Sequence, residues 1–262
     1  MFTDQELQDL NNFLFENEYH IPIRSASGHA IGEPIEKSIY DFLKYRAPHS
    51  YYKQYELLNI LYSNNLDHEG ISRLNLLPNP ALRLLLNRGV KSTTNWSPSN
   101  LFDEKQNDTA DIIKLSHKEN YDVYGLIDIK TFNTHKQGQP PNIISAYKLA
   151  QLSSLLINDP ETSNTINICY YSVAWKVNSD TRITVVDTHL VDLFKIDPKN
   201  LYINWAAALQ IQFHPHLVSQ DFNGTKFEWA KSFLKKYCQS AQDRINTMES
   251  KFLNPFQNTL NN

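Results

Sequence analysis

Apolar residues recur every three or four positions in the first third of the chain, which predicts a series of helices. Asp4 is placed to cap the first helix, and Gly32 opens the second just ahead of Pro34. The same spacing predicts further helices over residues 54–62 and 80–88. The N-terminal third is therefore expected to be helical.

The middle of the chain changes to the alternating pattern that is typical of strands. Residues 111–115 and 124–130 are predicted to form two strands joined by a polar turn, and residues 165–175 and 181–187 two more. A helix over residues 143–157 separates the two pairs. The expected architecture is an α/β fold in which helices flank a mixed central sheet.

The last long element is a helix that opens with Thr225 and Glu228, the two residues of a capping box. Apolar residues follow at helical spacing as far as Phe252, and we interpret them as packing in the core or against a second copy. The chain shows no repeat, low-complexity tract or linker, so we predict a single domain over residues 1–262.

Length and composition narrow the class of protein. A chain of 262 residues buries roughly 75% of its unfolded surface, and 41% hydrophobic residues suit a globular fold. The two cysteines, Cys169 and Cys238, fit a reducing compartment, and no apolar run approaches the roughly 18 residues of a spanning helix. We therefore expect a cytoplasmic protein with no membrane contact. The net charge of −3 neither supports nor excludes nucleic-acid binding.

Two strands carry the candidate chemistry. Asp128 and Lys130 lie two apart in a predicted strand, so both side chains face one side of the sheet and Ile129 faces the other. Asp111 begins the preceding strand. If these strands form a hairpin, two carboxylates and one ammonium converge.

This trio suits phosphodiester hydrolysis. Two carboxylates and the backbone carbonyl of Ile129 can bind Mg²⁺, which polarises a phosphoryl group and lowers the pKa of a bound water. Lys130 can orient that water and stabilise charge on the phosphoryl oxygens. The simpler alternative is an exposed ion pair at the end of a strand, because a spacing of this kind often arises by chance.

Longer runs of sequence favour the nuclease interpretation, because the chain resembles type II restriction endonucleases of the HincII family. The matching segments keep their order and nearly constant offsets. They cover residues 27–30, 32–34, 104–112, 141–151, 201–208, 210–214, 222–225 and 228–232.

The resemblance implies a PD-(D/E)xK restriction-endonuclease-like core that acts as a homodimer on palindromic double-stranded DNA. It makes Asp111 and Asp128 metal ligands, together with the carbonyl of Ile129, and Lys130 the catalytic lysine. Glu36 matches a family glutamate that supports the metal site, although a solvated helix charge is an equal alternative. The cofactor implied is Mg²⁺.

The resemblance also assigns residues to DNA. Gln139 matches a glutamine that wedges between bases, and Asn142 an asparagine that reads base edges. Tyr202 and Asn204 match a second DNA-facing segment, although a buried aromatic with a satisfied amide is an equal alternative. Lys91 lies one position from a family lysine and is expected to contact DNA.

These implications define an expected activity, which is Mg²⁺-dependent cleavage of a six-base-pair palindrome to blunt ends with 5′-phosphates. The site is GTYRAC, or the stricter GTTAAC of an HpaI-type relative. A DNA methyltransferase that protects the host is the expected partner. Two alternatives stay open: a repair or structure-specific nuclease on the same fold, and a site-specific DNA-binding protein without catalysis.

Overall fold

The computed structural model describes residues 1–20, 28–63, 77, 79–86, 101–104, 108–135, 138–179, 181–206 and 209–260. The α-helices are α1 (Asp4–Glu16), α2 (Gly28–Arg46), α3 (Gln54–Ser63), α4 (Pro80–Leu86), α5 (Ala146–Asn158), α6 (Lys226–Met248) and α7 (Asn254–Leu260). The strands are β1 (Glu18–His20), β2 (Tyr51–Tyr52), β3 (Ile112–His117), β4 (Asp122–Asn133), β5 (Asn142–Ser145), β6 (Ile166–Ser179), β7 (Arg182–Asp192), β8 (Tyr202–Asn204) and β9 (Gln210–Gln212).

A mixed sheet forms the centre of the fold, in the order β1-β7-β6-β4-β3-β2. Strands β4 and β6 are parallel, and the other neighbours are antiparallel. Strand β4 therefore lies between the hairpin partner β3 and the parallel strand β6. The expected α/β fold, a mixed sheet flanked by helices, is confirmed.

The central sheet separates two apolar cores. Ile127 and Ile129 of β4 pack with buried residues of α1 and α2 on one face. Leu126 faces the other side, where α3 to α6 and a small second sheet pack. Because the side chains of a strand alternate, Asp128 and Lys130 share the face of Leu126. The pattern of alternation that the sequence predicted for this strand is confirmed.

The small second sheet has the order β5-β9-β8 and is antiparallel throughout. Ile203 and Ile211 face the core and are at most 5% exposed. The residues on either side of each isoleucine are polar and face outward. This sheet therefore presents a polar surface, built on an apolar base.

Close packing fixes α2 against the central strand. A Cβ atom added to Gly32 would lie 1.9 Å from the Oγ1 atom of Thr131, the residue that follows Lys130. Only a residue without a side chain fits at this contact. Helix α2 begins at Gly28, four residues earlier than predicted, and Pro34 lies inside it rather than at its first turn. The burial of Ile35 and Ile39 stabilises α2 and offsets the loss of the backbone hydrogen bond that Pro34 cannot donate.

Two other predicted boundaries are wrong. Thr3, not Asp4, caps α1, because its Oγ1 accepts the N–H of Glu6 while the carboxylate of Glu6 accepts the N–H of Thr3. The helix predicted over residues 143–157 begins only at Ala146, where Ser145 caps it. Residues 142–145 form β5 instead, because they pair with β9.

The C-terminal helix is only partly buried. Trp229 and Phe233 are fully buried and stacked, and the indole N–H of Trp229 donates to the carbonyl of Ile196. The capping box of Thr225 and Glu228 is confirmed. Helix α6 ends at Met248, before the predicted limit at Phe252. A π-helical turn (Glu249–Leu253) and then α7 follow it. The apolar side chains from position 245 onward are exposed rather than part of the core.

None of the helices in the described part of the chain is long and apolar enough to cross a bilayer.

Candidate active site

The hairpin of β3 and β4 brings two aspartates together. The last paired residues are Ile112 and Ile127, and Asp111 lies immediately before β3. The N–H of Asp111 donates to the carbonyl of Ile127 at 3.1 Å. Its carboxylate Oδ2 accepts the N–H of Ile129 at 2.6 Å. Backbone pairing therefore continues one residue past the strand and holds the Asp111 carboxylate against β4 next to Asp128.

Lys130 forms an ion pair with Asp128. Its ammonium lies 3.0 Å from Oδ1 and 2.8 Å from Oδ2 of the carboxylate. The Asp128 side chain is 13% exposed and that of Lys130 26%. The two groups are therefore largely shielded from water, where an ion pair is stronger than at a free surface.

The cluster shifts the pKa values of its members. Burial raises the pKa of Asp128 well above its usual range, and Asp111 adds to the rise while Lys130 opposes it. Burial lowers the pKa of Lys130, but Asp128, Asp111 and Glu36 together raise it above the ordinary value. Lys130 is therefore a cation at neutral pH, surrounded by acidic groups.

Glu36 of α2 lies close enough to the cluster to interact electrostatically with Asp111 and Lys130. Its pKa is raised from 4.5 to about 7, mainly by burial and in part by the nearby charge of Asp111, while Lys130 opposes the rise. Glu36 is half-buried, so it is not a fully solvated helix charge, and its supporting role stays a prediction. The contact between α2 and β4 brings this carboxyl group into the site.

Replacing Glu36 with glutamine is expected to change how stability depends on pH. The raised pKa means that folding favours the protonated acid, so its contribution is complete below about pH 4.5 and is lost as pH rises through about 7. Above pH 7 the Glu36→Gln variant should be more stable by up to about 3 kcal/mol. Denaturant unfolding in chelator at several pH values measures this difference.

The matched control is Glu16→Gln, which changes an exposed carboxylate on α1. The free energy of unfolding of this variant should differ from that of the wild-type chain by the same small amount at every pH. A Glu36→Gln curve that stays parallel to the wild-type curve from pH 4.5 to 8 would show that Glu36 is not buried beside Asp111.

Gln54 positions the segment that leads into Asp111, and the sequence did not identify it. This buried residue of α3 accepts the N–H of Thr109 at 2.9 Å and that of Ala110 at 3.4 Å. Its amide also donates to Asp108 at 3.3 Å. Gln54 lies more than fifty positions away along the chain, and no sequence pattern links it to Asp111.

The donor set fits a hard divalent cation. The two carboxylates lie close together, and both burial and the charge of Asp111 disfavour the ionised form of Asp128, which a bound cation would stabilise. The N–H of Ile129 points to Asp111, and the carbonyl of a strand residue points to the same side as its N–H. Across the described residues no group of three or more His, Cys, Asp and Glu side chains forms a metal cluster. The candidate ligands are therefore two carboxylates and a carbonyl.

The expected DNA-contacting residues that the structure describes lie in two segments of the chain. Gln139 is exposed in the loop that joins β4 to β5, and Asn142 is exposed at the start of β5. Tyr202 opens β8 and is 61% exposed, so the alternative of a buried aromatic is wrong. Asn204 ends β8 and is half-buried. Lys91 lies outside the described residues.

Gln212 of β9 links two of these residues and was missed by the sequence. Its amide N–H donates to Asn142 at 2.8 Å, and its amide oxygen accepts from Asn204 at 2.9 Å. A glutamine in a short strand has no pattern that predicts such partners. The pairing of three strands brings them together.

The mixed sheet and the cluster of two aspartates and a lysine define a restriction-endonuclease-like protein. The family model described as "Restriction endonuclease HincII" matches residues 11–260. The type II restriction enzyme HindII of Haemophilus influenzae is 46% identical over 254 residues, 95% of each chain. The type II restriction enzyme HincII of Haemophilus influenzae is 45% identical over the same length and coverage.

The chain therefore belongs to the HincII family of type II restriction endonucleases, which are site-specific deoxyribonucleases. Among solved structures, the NlaIV restriction endonuclease matches with a TM-score of 0.38 and 12% identity, covering 92% of this chain and 90% of that one.

Proposed function

We propose that this enzyme hydrolyses phosphodiester bonds of double-stranded DNA at the palindrome GTYRAC, or at the stricter GTTAAC. It requires Mg²⁺ and leaves blunt ends with 5′-phosphates. The observation that carries the proposal is the convergence of Asp111, Asp128 and Lys130 at the β3–β4 hairpin of a chain that belongs to this family.

Each group of the cluster has a separate task in the proposed reaction. The carboxylates of Asp111 and Asp128 and the carbonyl of Ile129 would hold Mg²⁺, which would supply a Lewis acid that lowers the pKa of a bound water. Lys130 has three N–H donors, of which Asp128 takes at most two. The third donor is available to a phosphoryl oxygen, where a fixed positive charge stabilises developing negative charge.

Glu36 has a supporting task. Its carboxyl group adds negative charge behind Lys130 and helps to keep that lysine protonated. It acts through Lys130 and Asp111 rather than on the DNA.

The polar loop and sheet beyond β4 provide the DNA contacts in this proposal. Gln139 inserts between bases at the edge of the site, and Asn142 reads a base edge in the groove. Tyr202 and Asn204 contact the same stretch of duplex, and Lys91 pairs with a phosphate. The exposure of Gln139, Asn142 and Tyr202 supports these roles, because each side chain is accessible to a ligand.

Two copies of the chain are needed to cut both strands of a palindrome, so we propose a homodimer with one active site for each strand. The exposed apolar side chains Met248, Phe252 and Phe256 of the C-terminal helices support association. A methyltransferase that modifies the same sequence protects host DNA.

Digestion of a fully sequenced, unmethylated viral DNA with purified protein and Mg²⁺ tests the proposal, with every end sequenced. We expect discrete blunt fragments that share one palindrome, with 5′-phosphates. A supercoiled plasmid with one site should become linear with little nicked intermediate if a dimer cuts both strands. Chelator should stop the reaction, and methylated DNA should resist it.

The outcomes separate the alternatives. Specific binding in Ca²⁺ without cleavage in Mg²⁺ would support a DNA-binding protein that has lost catalysis. Ends scattered over many sequences would support a repair or structure-specific nuclease. Nicked circles that accumulate as the main product would contradict the paired action of two copies.

A further inference from the structure

A continuous line of hydrogen bonds crosses the small second sheet from one edge to the other. The backbone N–H of Ala206 donates to Oδ1 of Asn204 at 3.0 Å. Nδ2 of Asn204 donates to Oε1 of Gln212 at 2.9 Å, and Nε2 of Gln212 donates to Oδ1 of Asn142 at 2.8 Å. Three side-chain amides are thus joined in series across β8, β9 and β5.

The first bond of the series sets the direction of all the others. A backbone N–H can only donate, so the atom of Asn204 that faces Ala206 has to be the amide oxygen. The nitrogen of Asn204 then faces Gln212, which must present its own oxygen. Gln212 is left with its nitrogen toward Asn142, and Asn142 must accept. The orientation of each amide follows from one fixed backbone donor.

The direction of the series determines what Asn142 presents to a ligand. Its Oδ1 is engaged by Gln212, while its Nδ2 group carries two N–H donors. The residue is exposed at the start of β5, so those donors are accessible. An asparagine that is free to rotate can both donate and accept, whereas Asn142 is oriented to donate.

The bases differ in how well their major-groove edges match a side chain that donates hydrogen bonds. Guanine offers two acceptors in the major groove, N7 and O6, whereas adenine offers one acceptor and one donor. Bidentate reading of adenine by an asparagine requires the amide oxygen to face the base, whereas the oxygen of Asn142 is directed toward Gln212. The guanine edge is therefore the better partner.

We propose that Gln212 is a positioning residue that holds Asn142 as a hydrogen-bond donor and thereby directs it to the N7/O6 edge of a guanine in the recognition site. This inference rests on the proposed function, because it assumes that Asn142 reads a base.

The apolar base of the sheet makes the proposal testable without loss of the fold. Ile203 and Ile211 are buried beneath the polar face and anchor β8 and β9 in the core. Gln212 lies on the opposite, outward side of β9. A change at Gln212 that preserves its size should therefore leave the packing of the sheet intact.

The decisive variant is Gln212→Glu. A carboxylate still accepts from Asn204, but it cannot donate to Asn142. Asn142 then has to turn its Nδ2 toward the carboxylate and present its oxygen to the DNA. The measurement is kcat/KM on short duplexes that contain the cleaved palindrome, with 7-deazaguanine, which lacks the N7 acceptor, placed at each guanine of the site in turn.

We expect the wild-type enzyme to lose about 10-fold in kcat/KM when one particular guanine is replaced by 7-deazaguanine. The Gln212→Glu enzyme should be slower than wild type on the unmodified duplex by about 10-fold or more. It should then lose little further activity with the analogue, because the contact to N7 is already absent. A residue that only supported the sheet would not change the response to the analogue.

Gln242→Glu, the same chemical change on the exposed face of α6, is the matched control and should behave as wild type on every duplex. Thermal unfolding should give the same midpoint for Gln212→Glu and wild type. A Gln212→Glu enzyme with wild-type rates, or a slower one that keeps the full penalty at every analogue, would overturn the inference. So would a wild-type enzyme that cuts its palindrome and ignores every analogue. If wild type cuts no palindrome, the proposed function fails first, and this inference with it.

Discussion

Asp128→Asn is expected to abolish cleavage while the fold becomes at least as stable as that of the wild-type chain. The loss of activity follows from the proposed role in metal binding, and we expect the rate to fall by roughly 10³-fold or more. The gain in stability follows from burial, because the raised pKa of Asp128 means that folding favours its neutral form. An amide of the same size carries no charge to be desolvated.

The pH dependence of this variant has a definite sign. A raised pKa in the folded state gives stability that is present at low pH and is lost as pH rises. The advantage of Asp128→Asn over wild type should therefore grow from pH 5 to pH 8 in chelator. We expect the midpoint of thermal unfolding to rise by about 2–4 °C, the shift that 1 kcal/mol produces in a chain of this size.

Asp122→Asn is the matched control, because it removes a carboxylate from the opposite end of β4, where the partner is His117. This control should retain cleavage. If Asp128→Asn cuts at the wild-type rate, Asp128 is not a metal ligand. If it binds DNA and fails to cut but unfolds well below wild type at pH 8, burial does not favour the neutral form of Asp128.

Lys130→Met should also prevent cleavage, but it should destabilise the fold. The loss of a fixed positive charge at the phosphoryl group is expected to lower the rate by about 10²–10³-fold. Lys130 is the cation that lowers the pKa of Asp128. Its removal leaves that carboxylate largely buried beside Asp111, at a cost of about 3 kcal/mol.

The two variants thus have opposite effects on stability although both are inactive. In Asp128→Asn, Lys130 keeps the nearby negative charges of Asp111 and Glu36. In Lys130→Met, Asp128 loses the lysine charge that lowers its pKa. The cost of Lys130→Met should shrink as pH falls, because Asp128, with its raised pKa, takes up a proton more readily than an ordinary aspartate. Denaturant unfolding at pH 5 and pH 8 measures both variants in one series.

Lys176→Met, at an exposed position of β6, is the matched control for removal of a lysine from the central sheet. Its stability and cleavage rate should stay near those of wild type. Specific binding of Lys130→Met to DNA in Ca²⁺ should also be retained. A Lys130→Met protein that is as stable as wild type at pH 8 would contradict the buried ion pair.

Much of the fold was predictable because the relevant patterns are local. Alternation in β4 correctly placed Asp128 and Lys130 on one face, and the polar turn before β4 correctly indicated a hairpin with β3. The capping box of Thr225 was predicted because its two residues are three positions apart. The single-domain organisation, and the roles of the individual site residues, stay predictions.

Local patterns failed where distant segments decide the outcome. Residues 142–145 carry a short apolar run that suits either a helix or a strand, and pairing with β9, some seventy positions further on, makes them a strand. No local sequence pattern shows where along α6 the apolar side chains stop being buried. Helical spacing continues past Tyr237, but Ile245 and the apolar residues after it are exposed.

The sequence by itself indicated the family, the strands β3, β4, β6 and β7 of the central sheet, and the placement of Asp128 and Lys130 on one face of β4. Only the tertiary structure brought Glu36 against Asp111, Gln54 behind the segment that precedes it, and Gln212 between Asn142 and Asn204. The physical reason is that side-chain spacing follows from the backbone period, which is local. Burial, pKa shifts and the direction of an amide depend on neighbours that folding brings in from distant parts of the chain.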